Sequence, residues 1–186
     1  MSSITPLSKL DQALIHAKNA GETKLLLDVG ADFNVKTFSD WTALMYANSV
    51  EQTRLLIDAA TAVGITAVYV NSKDKEGDTA LMKAKTAEQT RLLIDAGSDV
   101  NAKNVYGQTV LMYANTLEQS RLLIEAGADV IAKNNYGETA FLYVKTTGQK
   151  KLIEDAIEKA SVPKHIVWLP NGTEYEIKFF DHDKLL

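Results

Sequence analysis

Apolar residues recur along this chain in two short blocks separated by polar turns, and the blocks repeat. Thr79-Ala80-Leu81-Met82-Lys83-Ala84 returns as Thr109-Val110-Leu111-Met112-Tyr113-Ala114 and as Thr139-Ala140-Phe141-Leu142-Tyr143-Val144, thirty residues apart each time. An earlier copy is Thr42-Ala43-Leu44-Met45-Tyr46-Ala47, and a degenerate one, Gln12-Ala13-Leu14-Ile15-His16-Ala17, lies a further thirty residues upstream. The interval from Thr42 to Thr79 is thirty-seven, so seven extra residues sit within the apolar stretch from Ala60 to Asn71. Repetition at such a period marks an array of stacked units, here five.

The second block of each unit is Lys24-Leu25-Leu26-Leu27, Arg54-Leu55-Leu56-Ile57, Arg91-Leu92-Leu93-Ile94, Arg121-Leu122-Leu123-Ile124 and the weaker Lys151-Leu152-Ile153. Ser49, Thr86, Thr116 and Thr146 precede Gln52, Gln89, Gln119 and Gln149 by three residues, and Asn19 so precedes Glu22, which is capping-box spacing and predicts a helix start. Gly30, Gly97 and Gly127 follow the apolar block, where a helix end needs a residue that tolerates positive φ. A helix of about ten residues is predicted between each start and stop. Polar connectors rich in Asn, Asp and Gly then lead to Asp40, Gly77, Gly107 or Gly137, just before the next threonine unit, and read as turns. The predicted unit is a short helix, a turn, a longer helix and a hairpin-like loop. No unit buries its Leu-Leu-Ile face alone, so neighbours must stack.

Gly107-Gln108-Thr109-Val110-Leu111-Met112-Tyr113-Ala114, followed by Leu122-Leu123 and Gly127-Ala128-Asp129-Val130, resembles the ankyrin repeat, whose pattern runs Gly-x-Thr-Pro-Leu-His-x-Ala, a Leu-Leu helix and Gly-Ala-Asp-Val-Asn-Ala. The likeness covers roughly residues 11 to 160 and implies an all-α repeat solenoid of stacked helix-turn-helix units. The departures are consistent. The usual unit has about 33 residues, and the three missing here fall between the two helices. Proline is replaced by Ala43, Ala80, Val110 and Ala140, and histidine by Met45, Met82, Met112 and Leu142, which removes the family's Thr-His hydrogen bond. Each first helix is therefore expected to be short and held by packing more than by polar contacts. Compact repeats of this kind are similar to those of bacterial ankyrin proteins.

The repeat stops near Val162. His165-Ile166-Val167-Trp168-Leu169 and Thr173-Glu174-Tyr175-Glu176-Ile177-Lys178-Phe179-Phe180 flank Pro170-Asn171-Gly172, and Asn-Gly between two β-prone runs predicts a hairpin. It reads as a cap on the last repeat; a second reading has Trp168 or its neighbours also touching a partner. The expected organisation is repeats over 1–162, with units at about 12–41, 42–78, 79–108, 109–138 and 139–162, and a C-terminal β-hairpin extension over 163–186.

Composition narrows the function. The 186 residues are 46% hydrophobic with a formal net charge of -4, which supplies a core and argues against a nucleic-acid binder with its basic stripe. A basic protein partner is the electrostatic expectation. With no cysteine and three scattered histidines, His16, His165 and His182, neither a disulfide framework nor a thiolate zinc site is available. No cofactor is implied. The first ten residues lack the features of a secretory signal, and no stretch approaches the roughly 20 apolar residues that span a bilayer, so a cytoplasmic protein is expected. No phosphate loop, His-Glu-x-x-His or Gly-x-Ser-x-Gly is present. Glu51, Glu88 and Glu118 fit the first turn of a helix, where the macrodipole favours them, better than acid-base catalysis. A hydrolase is the remote alternative to a non-enzymatic protein.

A repeat array offers a surface of equivalent positions. The residue before the closing Ala or Val of each first helix is His16, Tyr46, Lys83, Tyr113 and Tyr143. The ankyrin resemblance implies that this stripe lines the concave binding face, and tyrosine is a favoured interface anchor; packing is the competing explanation. The loop tips form a second set: Phe38 and Trp41, Lys75 and Asp78, Val105, Tyr106 and Gln108, and Asn135, Tyr136 and Glu138. Trp41 stands where other units place Asp, Gln or Glu, and its expected exposure suggests a contact, or packing on Phe38 or the insertion. The insertion, with Ile65, Val68, Tyr69 and Val70, is either an apolar loop folded on its own repeat or a protrusion toward a partner. Within protein binding, the expectation is a small bacterial immunity or inhibitor protein that neutralises a toxin, with an effector or scaffold as the alternative.

Overall fold

The computed structural model describes residues 8–161, 164–168 and 174–178. Five helical units follow one another. The first pairs α1 (Lys9–Ile15) with α2 (Ala20–Asp28), and the second α3 (Ala43–Tyr46) with α4 (Val50–Ala62), after which α5 (Thr66–Val70) is extra. The third pairs α6 (Ala80–Lys83) with α7 (Ala87–Asp95), and the fourth α8 (Val110–Tyr113) with α9 (Leu117–Glu125). The fifth has a 3-10 turn at Ala140–Tyr143 and then α10 (Thr147–Ser161). Short helices stack on short ones and long on long, giving two layers. Between the layers lie the apolar residues of the repeated blocks, among them Leu44, Leu81 and Leu111 from the short helices and Leu56, Leu93, Leu123 and Ile153 from the long ones.

The local causes are those the sequence predicts. Ser49, Thr86, Thr116 and Thr146 each accept from the backbone N–H three residues on, at 3.1 to 3.2 Å. Gly30, Gly97 and Gly127 close α2, α7 and α9 at φ 88, 90 and 91°. Helices α3, α6 and α8 have four residues each. Their loss of polar support is partial: the buried hydroxyl of Thr109 has no hydrogen-bond partner, while that of Thr79 accepts from the Met82 N–H at 3.4 Å.

The glutamines do more than cap. Each oxygen accepts from the residue just before the cap, as Asn48 N–H donates to Gln52 at 3.0 Å and Lys85 N–H to Gln89 at 3.1 Å. Each side-chain nitrogen then crosses to the preceding unit. Gln52 Nε2 donates to Ala17 O at 2.9 Å and Thr23 Oγ1 at 3.1 Å, and Gln89, Gln119 and Gln149 repeat the pair on Ala47 and Thr53, Ala84 and Thr90, and Ala114 and Ser120. These buried amides join every unit to the one before it. Glu22, in the first unit, is exposed.

The insertion is helical, not an apolar loop. Helix α4 ends with Ile65 N–H on Ala60 O, whereas α7 ends with Ser98 N–H on Leu93 O. Since Leu93 corresponds to Leu56, four of the seven added residues give α4 one more turn. The rest build α5, which folds back so that Tyr69 and Val70 are buried, with the Tyr69 ring edge-on to Phe33 at 5.2 Å. Val68 stays exposed.

Strands β1 (Lys164–Trp168) and β2 (Glu174–Lys178) pair antiparallel, with Ile166 opposite Glu176. The expected turn at 170–172 and the expected sealing of the last repeat lie outside the described residues.

Candidate protein-binding surface

The third, fourth and fifth units turn into their first helices through the same loop. Asp74, Asn104 and Asn134 accept through Oδ1 from the N–H groups two and four residues on, at 2.8 to 3.0 Å. Successive loops also bond backbone to backbone: Lys75 N–H donates to Ser39 O, Val105 N–H to Glu76 O and Asn135 N–H to Tyr106 O, at 2.9 to 3.1 Å. Gly77, Gly107 and Gly137 turn at positive φ, and in the first loop Asp40 adopts φ 62° at the matching position. The stacked loops hold their tips in register along one side of the array.

On this scaffold the stripe and the loop residues meet. At the entry to each of the last four short helices the leading residue touches the one five positions later. Trp41 and Tyr46 have ring centroids 4.7 Å apart, Lys83 Nζ donates to Asp78 Oδ2 at 2.5 Å, Tyr113 and Gln108 Oε1 are 3.0 Å apart, and Tyr143 donates to Glu138 at 2.7 Å. Between units the contacts continue. The Lys83 ammonium lies 4.6 Å over the Trp41 ring, the Tyr113 hydroxyl is 3.4 Å from Asp78 Oδ1, and Gln108 Nε2 donates to the Tyr143 hydroxyl at 3.5 Å. His16 extends the chain of contacts at 5.4 Å from the Tyr46 ring, in an edge-to-face arrangement. The result is an unbroken ladder from His16 to Glu138.

The ladder shifts its own titrations. Burial, then the neighbouring Asp78 carboxylate, pushes the Tyr113 phenol up to about 12. The Asn134 amide and the Tyr143 hydroxyl hold the Glu138 carboxyl below its ordinary value. Asp78 is 2% exposed and also accepts from Asn104 Nδ2, so it supports the stripe from beneath and offers no free carboxylate. Trp41 differs from the expectation of exposure: it is half-buried between Tyr46 and Lys83, neither of which is its neighbour in sequence.

The tips are open. Phe38 is 82% exposed with the Lys75 ammonium 3.8 Å from its ring centroid, and Val105, Tyr106 and Tyr136 are exposed as well. Asn135 spends its side-chain N–H on Val105 O at 3.0 Å. Sequence reasoning missed a parallel row two positions beyond the stripe: Lys18, Asn48, Lys85, Asn115 and Lys145, all exposed. The thirty-residue period marks this row as clearly as the stripe, but its lysines read as ordinary solvated charge.

Residues 51–134 match the family model for ankyrin repeats, in three copies. A comparison with curated proteins finds no match. The matched span runs from α4 through α9, and helices of the same kind continue on both sides of it. No helix among the described residues is long and apolar enough to cross a membrane.

Proposed function

Since the chain is an ankyrin-repeat protein, we propose that it works by binding another protein along the ladder of His16, Tyr46, Lys83, Tyr113 and Tyr143 and across the tips carrying Phe38, Tyr106 and Tyr136. The observation that carries this reading is the ladder's continuity. Aromatic and polar side chains fixed by one another lose little conformational freedom when a partner arrives, and exposed tyrosines and Phe38 add anchors beside them. The repeats over 1–162 form the binding unit, with 163–186 as an extension that seals it.

The test is capture of the partner from the native cell. Replacing Tyr46, Tyr113 and Tyr143 together by Ala should abolish capture, whereas Phe in their place should retain most of it, because the rings supply the area and the Tyr113 and Tyr143 hydroxyls are spent within the ladder. Full capture by the Ala variant, shown to be folded, would overturn the assignment. Within this reading the chain is a cytoplasmic immunity or inhibitor protein, a role supported by its small size and net charge of -4. Co-expression with a toxic domain encoded beside it should restore growth; unrelieved toxicity would remove the immunity role and leave the binding surface untouched.

A further inference from the structure

Resting on the protein-binding reading, we propose that the partner presents an extended acidic segment whose carboxylates meet Lys18, Lys85 and Lys145. Chain-wide charge points the other way, but the binding face has its own balance. The ion pairs among the described residues engage Lys24, Lys83, Arg91 and Arg121, and none includes these three lysines. Instead Lys85 donates to Asn48 Oδ1 and Lys145 to Asn115 Oδ1. A neutral amide oxygen fixes the position of an ammonium without cancelling its charge. On the loop side Asp74 and Asp78 are buried and share Lys83, whereas Glu138, held by Tyr143 and Asn134, and the exposed Glu76 keep their charge, and Glu22 accepts from the Lys18 N–H at 2.6 Å. What the row of Lys18, Lys85 and Lys145 offers a ligand is positive charge outside any ion pair, two residues along the chain from the aromatic stripe.

A cleft between the first two units shows what such a site takes. It is lined by Ile15, His16, Ala17, Lys18, Tyr46 and Asn48. The Lys18 ammonium meets a carboxylate there, the Asn48 amide donates to its second oxygen, and the His16 and Tyr46 rings cover the methylenes behind it. Stacked units lie about 8–10 Å apart, and the lysines occupy every second unit, so they are roughly 20 Å from one another. An extended chain advances about 3.3 Å per residue, which places the matching carboxylates about six residues apart. Duplex nucleic acid fits poorly, since it carries a charge every ~1.7 Å against three cations over the whole row.

The experiment uses the full chain and three labelled probes in fluorescence anisotropy: a fifteen-residue peptide with Glu at every sixth position, the same peptide with Lys in those places, and a fifteen-nucleotide oligothymidine. The acidic peptide should bind best, weaken several-fold between low and moderate salt, and lose about tenfold or more in affinity when Lys18, Lys85 and Lys145 are all replaced by Glu, with the melting curve unchanged. Replacement by Gln serves if the Glu variant does not fold. Equal binding to the substituted chain, preference for the basic peptide or the oligonucleotide, or no binding of the acidic peptide would overturn the proposal. Partner capture separates the two levels: a Tyr variant that loses the partner beside a Lys variant that keeps it leaves protein binding standing and removes the acidic segment.

Discussion

Gln52, Gln89, Gln119 and Gln149 each hold their own helix start with an oxygen and the previous unit with a nitrogen. Replacing Gln89 by Glu keeps the acceptor but turns an oxygen toward Ala47 O, Ser49 O and Thr53 Oγ1, so a loss of about 2–4 kcal/mol is expected in urea unfolding. An orphaned hydroxyl behaves oppositely. Thr109→Val removes a buried oxygen that has no partner and should change stability by less than about 1 kcal/mol, or raise it. Tyr113 makes an alkaline prediction. Burial, then Asp78, pushes its phenol up to about 12 from its ordinary value of 10.0, so its contribution is complete below pH 10 and is lost as pH rises through the raised value. Ultraviolet titration should show late-ionising phenols, one of which is missing from Tyr113→Phe while that of the buried Tyr69, pushed up by burial, remains. The glutamines' second role was invisible in the sequence because capping-box spacing already explains them locally; only the neighbouring unit reveals it.

Helix starts and stops were legible, since each depends on residues within three or four positions of one another. The insertion was less so. Gly64, at φ 75°, is the stop signal that shows α4 running one turn longer, but nothing local says that Tyr69 will find Phe33. Tyr69→Ala should cost about 3–5 kcal/mol, while Val68→Ala, on the exposed side of α5, should stay within about 0.5 kcal/mol; equal effects would mean that α5 is not docked. The loops carry a parallel contrast. An alanine Cβ at Gly107 would lie 2.5 Å from Asn135 Oδ1 and 3.0 Å from its backbone nitrogen, whereas at Gly137, with a similar φ, it meets nothing within 4 Å. Gly107→Ala should therefore lower the unfolding midpoint by clearly more than Gly137→Ala, the difference measuring how tightly adjacent loops stack. Trp41 shows the same limit on reading a sequence: its tip position suggested exposure, and contacts from another unit half-bury it.

Across the whole array the two rows are legible as periods, and their electrostatics are not, because a lysine's charge is cancelled or kept according to which neighbouring unit supplies a carboxylate or an amide. Lys83 is neutralised by two aspartates, while Lys85, two residues on, keeps its charge beside Asn48. The ladder also sets an acid limit. Glu138, and Asp11 through its bonds with Ser8 and the Asp32 N–H, have carboxyls held below their ordinary values, so their contribution is present above the unfolded carboxyl range and is lost as pH falls through the folded values. Glu138→Gln should flatten that acid slope. Open stacks with a donor row at one end and an acceptor row at the other are prone to join end to end into filaments. At the N-terminal end the amide that every later unit carries is replaced by the charged, exposed Glu22, which cannot donate to the acceptors of a second copy. A single atom, oxygen where the other units place nitrogen, is thus set against end-to-end joining, and Glu22→Gln should make sedimentation depend on concentration.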